Sequence, residues 1–311
     1  MADTQITISE GNSSQVRHRA IPSGILVAAS LLAGLAIAIL WSAQLSDDDI
    51  GVNAANGMLG HDSLTTAISG SAAGVLFAFT AGLAGSFTAC NVAAFSAIAP
   101  LMEDASSVAA RARLALRPLA WLSAGLVLVA GTYGAIGASL GKSIPQLSAA
   151  KVGSMPERIL QSVIAFSVIG LIFIYLGLAA AGYVPDPLAR ITARFAHAPQ
   201  FVMGALIGGF LIGRPYPLFD EMFRYAASTH NAFYGALTFI LISIGNIVIM
   251  ALLFLALSMS RFQQWLRAEP GRIAKFTASA LLIGGAFTFF YWGVRVPAGT
   301  GYGWFPHMPW H

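Results

Sequence analysis

Long and nearly uncharged apolar stretches limit what this chain can fold into. Its 311 residues are 57% hydrophobic and 10% charged, whereas soluble domains carry about 25% charged residues. A helix needs roughly 20 apolar residues to cross a bilayer. Stretches of this length run over Ile21–Leu45, Gly70–Leu101, Leu119–Leu140, Ile159–Tyr183, Phe201–Ser228, Phe233–Met259 and Phe276–Val296. We therefore expect an all-α integral membrane protein with about seven transmembrane helices, whose first partner is the lipid bilayer.

The distribution of basic residues predicts the orientation of these spans. If the N-terminus lies inside, the cytoplasmic segments contain eleven Lys and Arg residues and the outer loops contain three. The first outer loop, with Asp47, Asp48, Asp49 and Asp62, contains none of these. Cytoplasmic loops of membrane proteins are enriched in Lys and Arg. We therefore expect the N-terminus inside and the C-terminus outside. The net charge of +4 follows from this bias, and no basic patch interleaved with aromatic residues points to nucleic acid.

The second and fifth apolar stretches predict an internal repeat. Both are longer than a simple span, rich in glycine, and interrupted by polar residues or prolines, as are broken helices that line a cavity. They open two three-span halves, residues 70–183 and 201–296. The six-span core is therefore expected to be a 3+3 inverted repeat with its working site at the midplane. A polar cytosolic tail (1–20) and an extra N-terminal span (21–45) precede it, and an outer aromatic tail (297–311) follows.

The single cysteine of the chain, Cys90, lies in the first broken stretch beside Asn91. A thiol at mid-membrane depth, next to a polar residue and a glycine-rich segment, points to chemistry or ligation. The alternative is a small buried hydrophobe, since free Cys often behaves in this way. Thiol exchange proceeds through attack on a disulfide and release by a second thiol, so one sulfur restricts what this position can do.

The second broken stretch contains the sequence Arg214-Pro215-Tyr216-Pro217. Each proline removes a backbone donor and clashes with the preceding turn, so we expect the helix to break there. An arginine near the middle of a span costs at least ~2.5–3.5 kcal/mol on insertion scales and should face a polar cavity or a partner. Arg214 therefore either lines a water-accessible cavity or satisfies carbonyl groups that the break exposes.

Polar residues follow this break and recur in the next span. Asp220 lies four residues before Arg224, and Glu221 lies three before it, so both acids are expected within reach of the guanidinium on a helix. This group is either part of an outward-opening vestibule or an interfacial ion pair. Asn246 lies at mid-depth in the sixth stretch, where an interhelical hydrogen bond is its simplest role.

The outer tail offers soft ligands for a metal. His307, Met308 and His311 are residue types that copper accepts. The tryptophans and phenylalanine of the same tail are alternatively explained as an interfacial aromatic anchor. No phosphate-cradling glycine loop and no haem attachment motif is present, so no cofactor is implied and we expect no classical enzymatic activity.

Short glycine-rich motifs between Ser71 and Val296 carry a resemblance to a known family. They are Gly82-Leu83 and Ser86-Phe87 ahead of Cys90, Phe210-x-x-Gly213 ahead of the prolines, Gly235-Ala236-Leu237, and Ser243-Ile244-Gly245. Together they resemble the CcdA/DsbD transmembrane family of bacterial inner membranes. The resemblance implies the six-span fold, a cytoplasmic-membrane location, and a role in cytochrome c biogenesis or thiol–disulfide electron transfer.

The chain departs from the pattern of that family at its active thiols. The family uses one cysteine in each broken helix, and Cys90 matches the first of these, with Ala89 in place of a proline. Pro217 or Tyr216 stands at the second position. Neither side chain can form a disulfide, so the fold implied by the resemblance carries over and the two-cysteine cycle does not.

Two functions of different classes remain open. In the first, the protein acts in redox maturation through Cys90 and envelope thiol proteins, or handles a small solute or soft metal ion at the midplane. In the second, it is a non-catalytic scaffold or accessory subunit of a larger respiratory or electron-transfer complex. A third possibility is a simple permease, although nothing in the sequence names a solute.

Overall fold

The chain is helical over most of the residues that the computed structural model describes, namely 24–87, 108–212, 214–258, 269, 271–306 and 308. The helices are α1 (Gly24–Leu40), α2 (Asn53–Leu59), α3 (Ser71–Ala84), α4 (Val108–Leu140), α5 (Glu157–Ala180), α6 (Ala189–Thr192), α7 (Ala198–Gly209), α8 (Pro217–Ser228), α9 (Ala232–Ser258), α10 (Arg272–Thr288) and α11 (Val296–Gly299). π-Helical segments, Gln44–Val52 and Phe289–Arg295, lead into α2 and α11. Two short antiparallel strands, β1 (Lys151–Val152) and β2 (Met155–Pro156), connect α4 to α5.

The described residues contain four to five candidate membrane-spanning helices. Arg117–Leu140, Glu157–Ala180, Ala232–Ile249 and Arg272–Gly299 are each long and apolar enough to cross a membrane. A fifth arises if α1 and the helical stretch Gln44–Leu59 form one span bent by 68°. Helices α3 and α7 are apolar but have 14 and 12 residues, less than the roughly 20 that a straight span requires. The hydropathy pattern predicts about seven spans, and the difference arises at α1, α3 and α7.

The helix of the second broken stretch is interrupted where its prolines predict. Helix α7 ends at Gly209 and α8 begins at Pro217, with Tyr216 extended between them at φ −80° and ψ 126°. Proline is tolerated in the first turn of α8 because the N–H group at that position has no intrahelical partner. Arg214 therefore lies on irregular backbone between two helices, not on a helix face.

The first broken stretch is described only in part. Helix α3 ends at Ala84 and passes into a 3₁₀ turn, Gly85–Phe87. Cys90 and Asn91 lie outside the described residues.

Glycines bring the backbones of α3 and α9 into contact, and likewise those of α4 and α7. A Cβ atom on Gly82 would collide with the carbonyl oxygen of Ile242, and one on Gly204 would collide with that of Leu122. Such approach is available only to small residues. The glycine-rich sequence of the fifth apolar stretch therefore serves helix packing.

Contacts at the helix ends give the relative directions of the long helices. The hydroxyl of Tyr234, near the start of α9, donates to the carbonyl of Ser71 at the start of α3. The hydroxyl of Ser86, just after α3, donates to the carbonyl of Asn246 further along α9. Helices α3 and α9 are therefore parallel. The order of the residue contacts along the other helix pairs gives their directions in the same way. Helices α4 and α7 are parallel, whereas the pairs α4–α9 and α5–α10 are antiparallel.

The acidic connection after α1 is helical and partly buried, although the sequence places it in an outer loop. Val52 and Ala55 are buried in the same apolar cluster as Tyr216 and Phe219 of the second break. Gly51 permits this approach, because a Cβ atom there would collide with the hydroxyl of Tyr216. The segment thus folds back against the break.

The C-terminal residues pack beside the α4–α5 connection. The hydroxyl of Tyr302 donates to the carbonyl of Val152 at 3.3 Å, and the hydroxyl of Ser154 donates to the carbonyl of Thr300. Phe305 is buried with Phe287, while Trp304 is 81% exposed. The α4–α5 connection and the C-terminal tail therefore lie at the same end of the molecule.

Candidate functional site

The structure brings together most of the predicted polar residues that it describes. Arg214, Pro215, Tyr216 and Pro217 form the break between α7 and α8, and Asp220, Glu221 and Arg224 lie on α8. Asn246 lies apart on α9 and is buried, and its backbone carbonyl accepts a hydrogen bond from Ser86; an interhelical hydrogen bond of its side chain stays a prediction. Cys90, Asn91, His307 and His311 are outside the described residues, so their proposed roles stay predictions.

The guanidinium of Arg214 is held by aromatic rings. Its central carbon lies 5.1 Å from the ring centroid of Tyr216 and 5.0 Å from that of Phe219. These distances are within the range of cation–π attraction. The two rings pack edge to face at 4.9 Å. The break therefore presents a cation on a rigid aromatic support.

Tyr216 is the centre of this support. Its side chain is 1% exposed, and its hydroxyl makes no hydrogen bond with any described residue. The hydroxyl lies against Gly51 of the segment that follows α1. The break is thus closed on one side by that segment.

Asp220 forms the centre of an ion cluster. Arg224 donates to its Oδ2 atom one helical turn away, and Arg158 of α5 lies 3.8 Å from the same oxygen. The Oδ1 atom is buried and accepts no hydrogen bond from a described residue. Both acids act on the Arg224 guanidinium: Asp220 through the ion pair, and Glu221 through its charge, without an ion pair of 4.0 Å or less among the described residues.

A vestibule of about 960 Å³ opens over this cluster at the end of the molecule that holds the α4–α5 connection. Cationic side chains outnumber acidic ones on its wall, because Lys151, Arg158 and Arg224 face a single carboxylate, Asp220. The remaining lining consists of Leu140, Ser143, Gln146, Leu147, Ser148, Ala149, Pro156, Ala227, Ser228 and His230. This wall favours water and anions.

A smaller inner cavity of about 210 Å³ lies on the other side of the break. Its polar groups are Arg214 and Asp47. Its remaining wall is mostly aromatic and consists of Trp41, Ala43, Ile159, Phe166, Phe210, Pro215, Phe287, Tyr291, Trp292 and Val296. Concave, mostly apolar cavities with a few polar groups are the usual form of small-molecule sites.

Gln146 lies between the two cavities. It lines the vestibule, and its Nε2 atom donates to the carbonyl oxygen of Arg214, which lines the inner cavity. The donor–acceptor distance is 3.5 Å, the weak limit of a hydrogen bond. Its side chain is 4% exposed, and its Oε1 atom accepts no hydrogen bond from a described residue. A weakly held amide thus separates the vestibule from the break.

Arg295 supports the opposite wall of the inner cavity. Its Nη1 atom donates to the carbonyl oxygens of Ala38 and Trp41 at 2.6 and 2.8 Å. These are carbonyl groups at the end of α1, where intrahelical partners are missing. Arg295 therefore has a structural role, and the bend after α1 depends on it.

A metal site has no support within the described residues. No group of three or more His, Cys, Asp or Glu side chains there could hold a metal ion. Of the predicted tail ligands, Met308 alone is described, and it is partly buried. Copper binding by the tail stays a prediction.

Sequence reasoning missed three residues of the site: Asp47, Gln146 and Arg158. Asp47 belongs to an acidic run without basic residues, and this composition is also typical of an outer loop that has no role in the site. Gln146 and Arg158 lie in or beside the α4–α5 connection, and no local spacing links them to the break. The signal that could have indicated Asp47 is Gly51, a glycine beside the acidic run, where the side chain of Tyr216 approaches the backbone.

The geometry is that of a basic vestibule and a mostly aromatic cavity on either side of a helix break, linked by the hydrogen bond from Gln146 to Arg214. No family model, curated protein or solved structure matches the chain.

Proposed function

We propose that this chain is a multi-span protein of the bacterial cytoplasmic membrane that handles a small solute. The solute would enter the outward-facing vestibule and reach the break between α7 and α8. The observation that carries the proposal is the hydrogen bond between Gln146, which lines the vestibule, and Arg214, which lines the inner cavity. A pathway through a membrane protein is expected to be lined by such ionisable residues and by irregular backbone.

The packing of the helices supports the 3+3 inverted repeat. In a two-fold repeat, α3 would correspond to α7, α4 to α9, and α5 to α10. Under this correspondence, the packed pair α3–α9 matches the packed pair α7–α4. The packed pairs α4–α9 and α5–α10 each match themselves. This two-fold pattern is typical of inverted repeats, in which the substrate site lies between the two broken helices.

Glycines at these interfaces give independent support. Glycines about 120 residues apart in the sequence occupy corresponding positions at the packed helix pairs. They are Gly82 and Gly204, Gly125 and Gly245, and Gly170 and Gly285. The alternating directions of α3, α4, α5, α7, α9 and α10 also agree with six crossings. Helix α1 packs against α10 and would be the extra N-terminal span.

The proposed orientation has the N-terminus inside and the C-terminus outside. The α4–α5 connection and the C-terminal tail lie at one end, as this topology requires. Basic residues are more frequent at the other end, which favours the cytoplasmic side. The vestibule would then open outward.

The resemblance to the CcdA/DsbD family adds a redox role through Cys90 to the proposal. In this role, the thiolate of Cys90 would act on envelope thiol proteins or hold a soft metal ion such as copper. The test is Cys90→Ser in the intact chain: loss of thiol labelling of partners or of metal uptake supports this role. Solute handling without Cys90 would leave the vestibule proposal standing and remove the redox part.

A scaffold function is the second candidate. It is favoured by Trp304, which is 81% exposed beyond the last helix, since aromatic residues in such places often anchor protein contacts. Stable co-purification with an electron-transfer complex in mild detergent, together with a dispensable vestibule, would establish it.

Cysteine accessibility tests the proposed pathway. In a Cys90→Ser background, Ser148→Cys places a thiol on the vestibule wall and Ala43→Cys places one on the inner cavity. Leu128→Cys is the control, because this 58% exposed leucine lies on the outer face of α4, where lipid is expected. A membrane-impermeant thiol reagent added outside intact cells should label the first two positions and not the third.

Labelling of Ser148→Cys from the cytoplasmic side alone would reverse the proposed orientation. Absence of labelling at both cavity positions from either side would contradict a water-accessible pathway. Each result is obtained without knowing the solute.

A further inference from the structure

The inner cavity has the size and wall of a site for a small, largely apolar molecule. Its volume of about 210 Å³ lies below the roughly 300–1,000 Å³ of pockets that hold drug-sized ligands. Rings of Trp41, Phe166 and Trp292 face it, and Phe166 packs edge to face on Trp292 at 4.6 Å. A packed aromatic wall of this kind accepts an aliphatic or aromatic group.

Two opposite charges face this apolar space without neutralising each other. Arg214 and Asp47 both line the cavity, and no ion pair of 4.0 Å or less joins them. Each charge is held in place from behind: Arg214 by the rings of Tyr216 and Phe219, and Asp47 by the hydroxyl of Ser46, which donates to its Oδ1 atom at 3.0 Å. The cavity thus has a positive and a negative pole at fixed places.

The charges decide which ligands fit. A simple anion entering the cavity would be attracted to Arg214 and repelled by Asp47, and a simple cation would experience the reverse. Burying a charge is costly unless it is paired. A dipolar ligand pairs both poles at once, and its apolar part then fills the aromatic space.

We infer, on the basis of the proposed function, that the inner cavity binds a small zwitterion with an apolar side group, as in an aliphatic or aromatic α-amino acid. The carboxylate of the ligand lies against Arg214 and its ammonium group against Asp47. The vestibule supplies the aqueous route to the cavity, and Gln146 stands at the entry. This assigns a substrate class to the proposed pathway.

A ligand series on the unmodified protein tests the inference directly. The full chain in lipid nanodiscs is titrated with radiolabelled L-leucine, against 4-methylpentanoate and 3-methylbutylamine as competitors. The competitors keep the apolar chain of leucine and lack the ammonium or the carboxylate group, respectively. Since a hydrogen bond to a charged group contributes about 1.5–3 kcal/mol, leucine should bind on the order of 10- to 100-fold more tightly than either competitor.

Variants assign the two poles. Asp47→Asn should weaken leucine on the order of tenfold or more and leave 4-methylpentanoate no weaker than before. Arg214→Gln should weaken leucine and 4-methylpentanoate together. The matched controls are Asp48→Asn, the exposed neighbouring acid outside the cavity wall, and Arg190→Gln, an exposed arginine on the short helix α6. Both controls should bind leucine as the unmodified chain does.

Failure of this inference is distinguishable from failure of the pathway. If Ala43→Cys is labelled from outside and leucine binds no better than its two analogues, the pathway stands and the zwitterion site is refuted. If the Asp47→Asn variant still binds leucine more tightly than 4-methylpentanoate by the same factor, the assignment of the poles is refuted. Because the ligand series needs no variant, a variant that fails to fold leaves the test intact.

Discussion

The ion cluster on α8 offers a sharp test of the structure. Asp220→Asn keeps the size of the side chain and removes the charge that Arg224 and Arg158 share. The side chain of Asp220 is 13% exposed, whereas Arg224 and Arg158 are 59% and 44% exposed. We expect the variant to be less stable, because the buried centre of the cluster is lost.

The magnitude follows from these exposures. Breaking a fully buried ion pair costs about 3–5 kcal/mol, whereas an exposed pair contributes about 0–1 kcal/mol. With a buried acid and two half-exposed arginines, solvent screening places the loss between these values, at about 1.5–2 kcal/mol. At roughly 2–4 °C per kcal/mol, the value for chains of about 150–250 residues, the unfolding temperature should fall by roughly 3–8 °C.

The assay is thermal unfolding of the purified protein in mild detergent, followed by the circular dichroism of its helices. Glu221→Gln is the matched control, because it removes an acid from the next position of the same helix without breaking an ion pair. It should shift the midpoint by about 1 °C or less. An unchanged midpoint in Asp220→Asn, or an equal fall in both variants, would refute the buried cluster.

Three further changes probe the packing around the site, each followed by the same thermal unfolding. Gly204→Ala should lower the free energy of unfolding by about 1–3 kcal/mol, because its Cβ atom meets the backbone of Leu122. Gly57→Ala is the control and should not lower it, because the space around Gly57 is open. A similar loss of stability in both variants would contradict the α4–α7 contact. Tyr216→Phe should be neutral or stabilising, because the buried hydroxyl has no described partner; a loss of 2 °C or more would contradict this. Arg295→Gln should destabilise by about 1–3 kcal/mol through two carbonyl groups left unpaired, and an unchanged midpoint would remove its role at the end of α1.

Much of the second break could be predicted because its causes are local. Pro215 and Pro217 interrupt a helix through their own rings, and the spacing of Asp220 and Arg224 fixes one ion pair through the helical turn. The glycines around Gly204 likewise predict close helix contact. Each of these inferences needs only the neighbouring sequence.

The partners from distant segments could not be predicted in this way. Arg158 joins Asp220 from α5, and Asp47 shares a cavity with Arg214, although no spacing along the chain connects them. Glu221 acts on Arg224 through its charge alone, because a spacing of three allows a direct ion pair without requiring it. The acidic run around Asp47 was expected in an outer loop, and packing against Tyr216 makes it part of the cavity wall.

The sequence by itself determined that the chain forms several apolar helices long enough to cross a membrane, and where its second broken helix ends, because apolar length and proline act on the backbone locally. The tertiary structure alone decided which charges face each other, since that depends on how glycine contacts align the helices. Gly82 and Gly204 set the spacing of two helix pairs. Gly51 lets the segment after α1 approach Tyr216, and Asp47 of that segment thereby shares a cavity with Arg214.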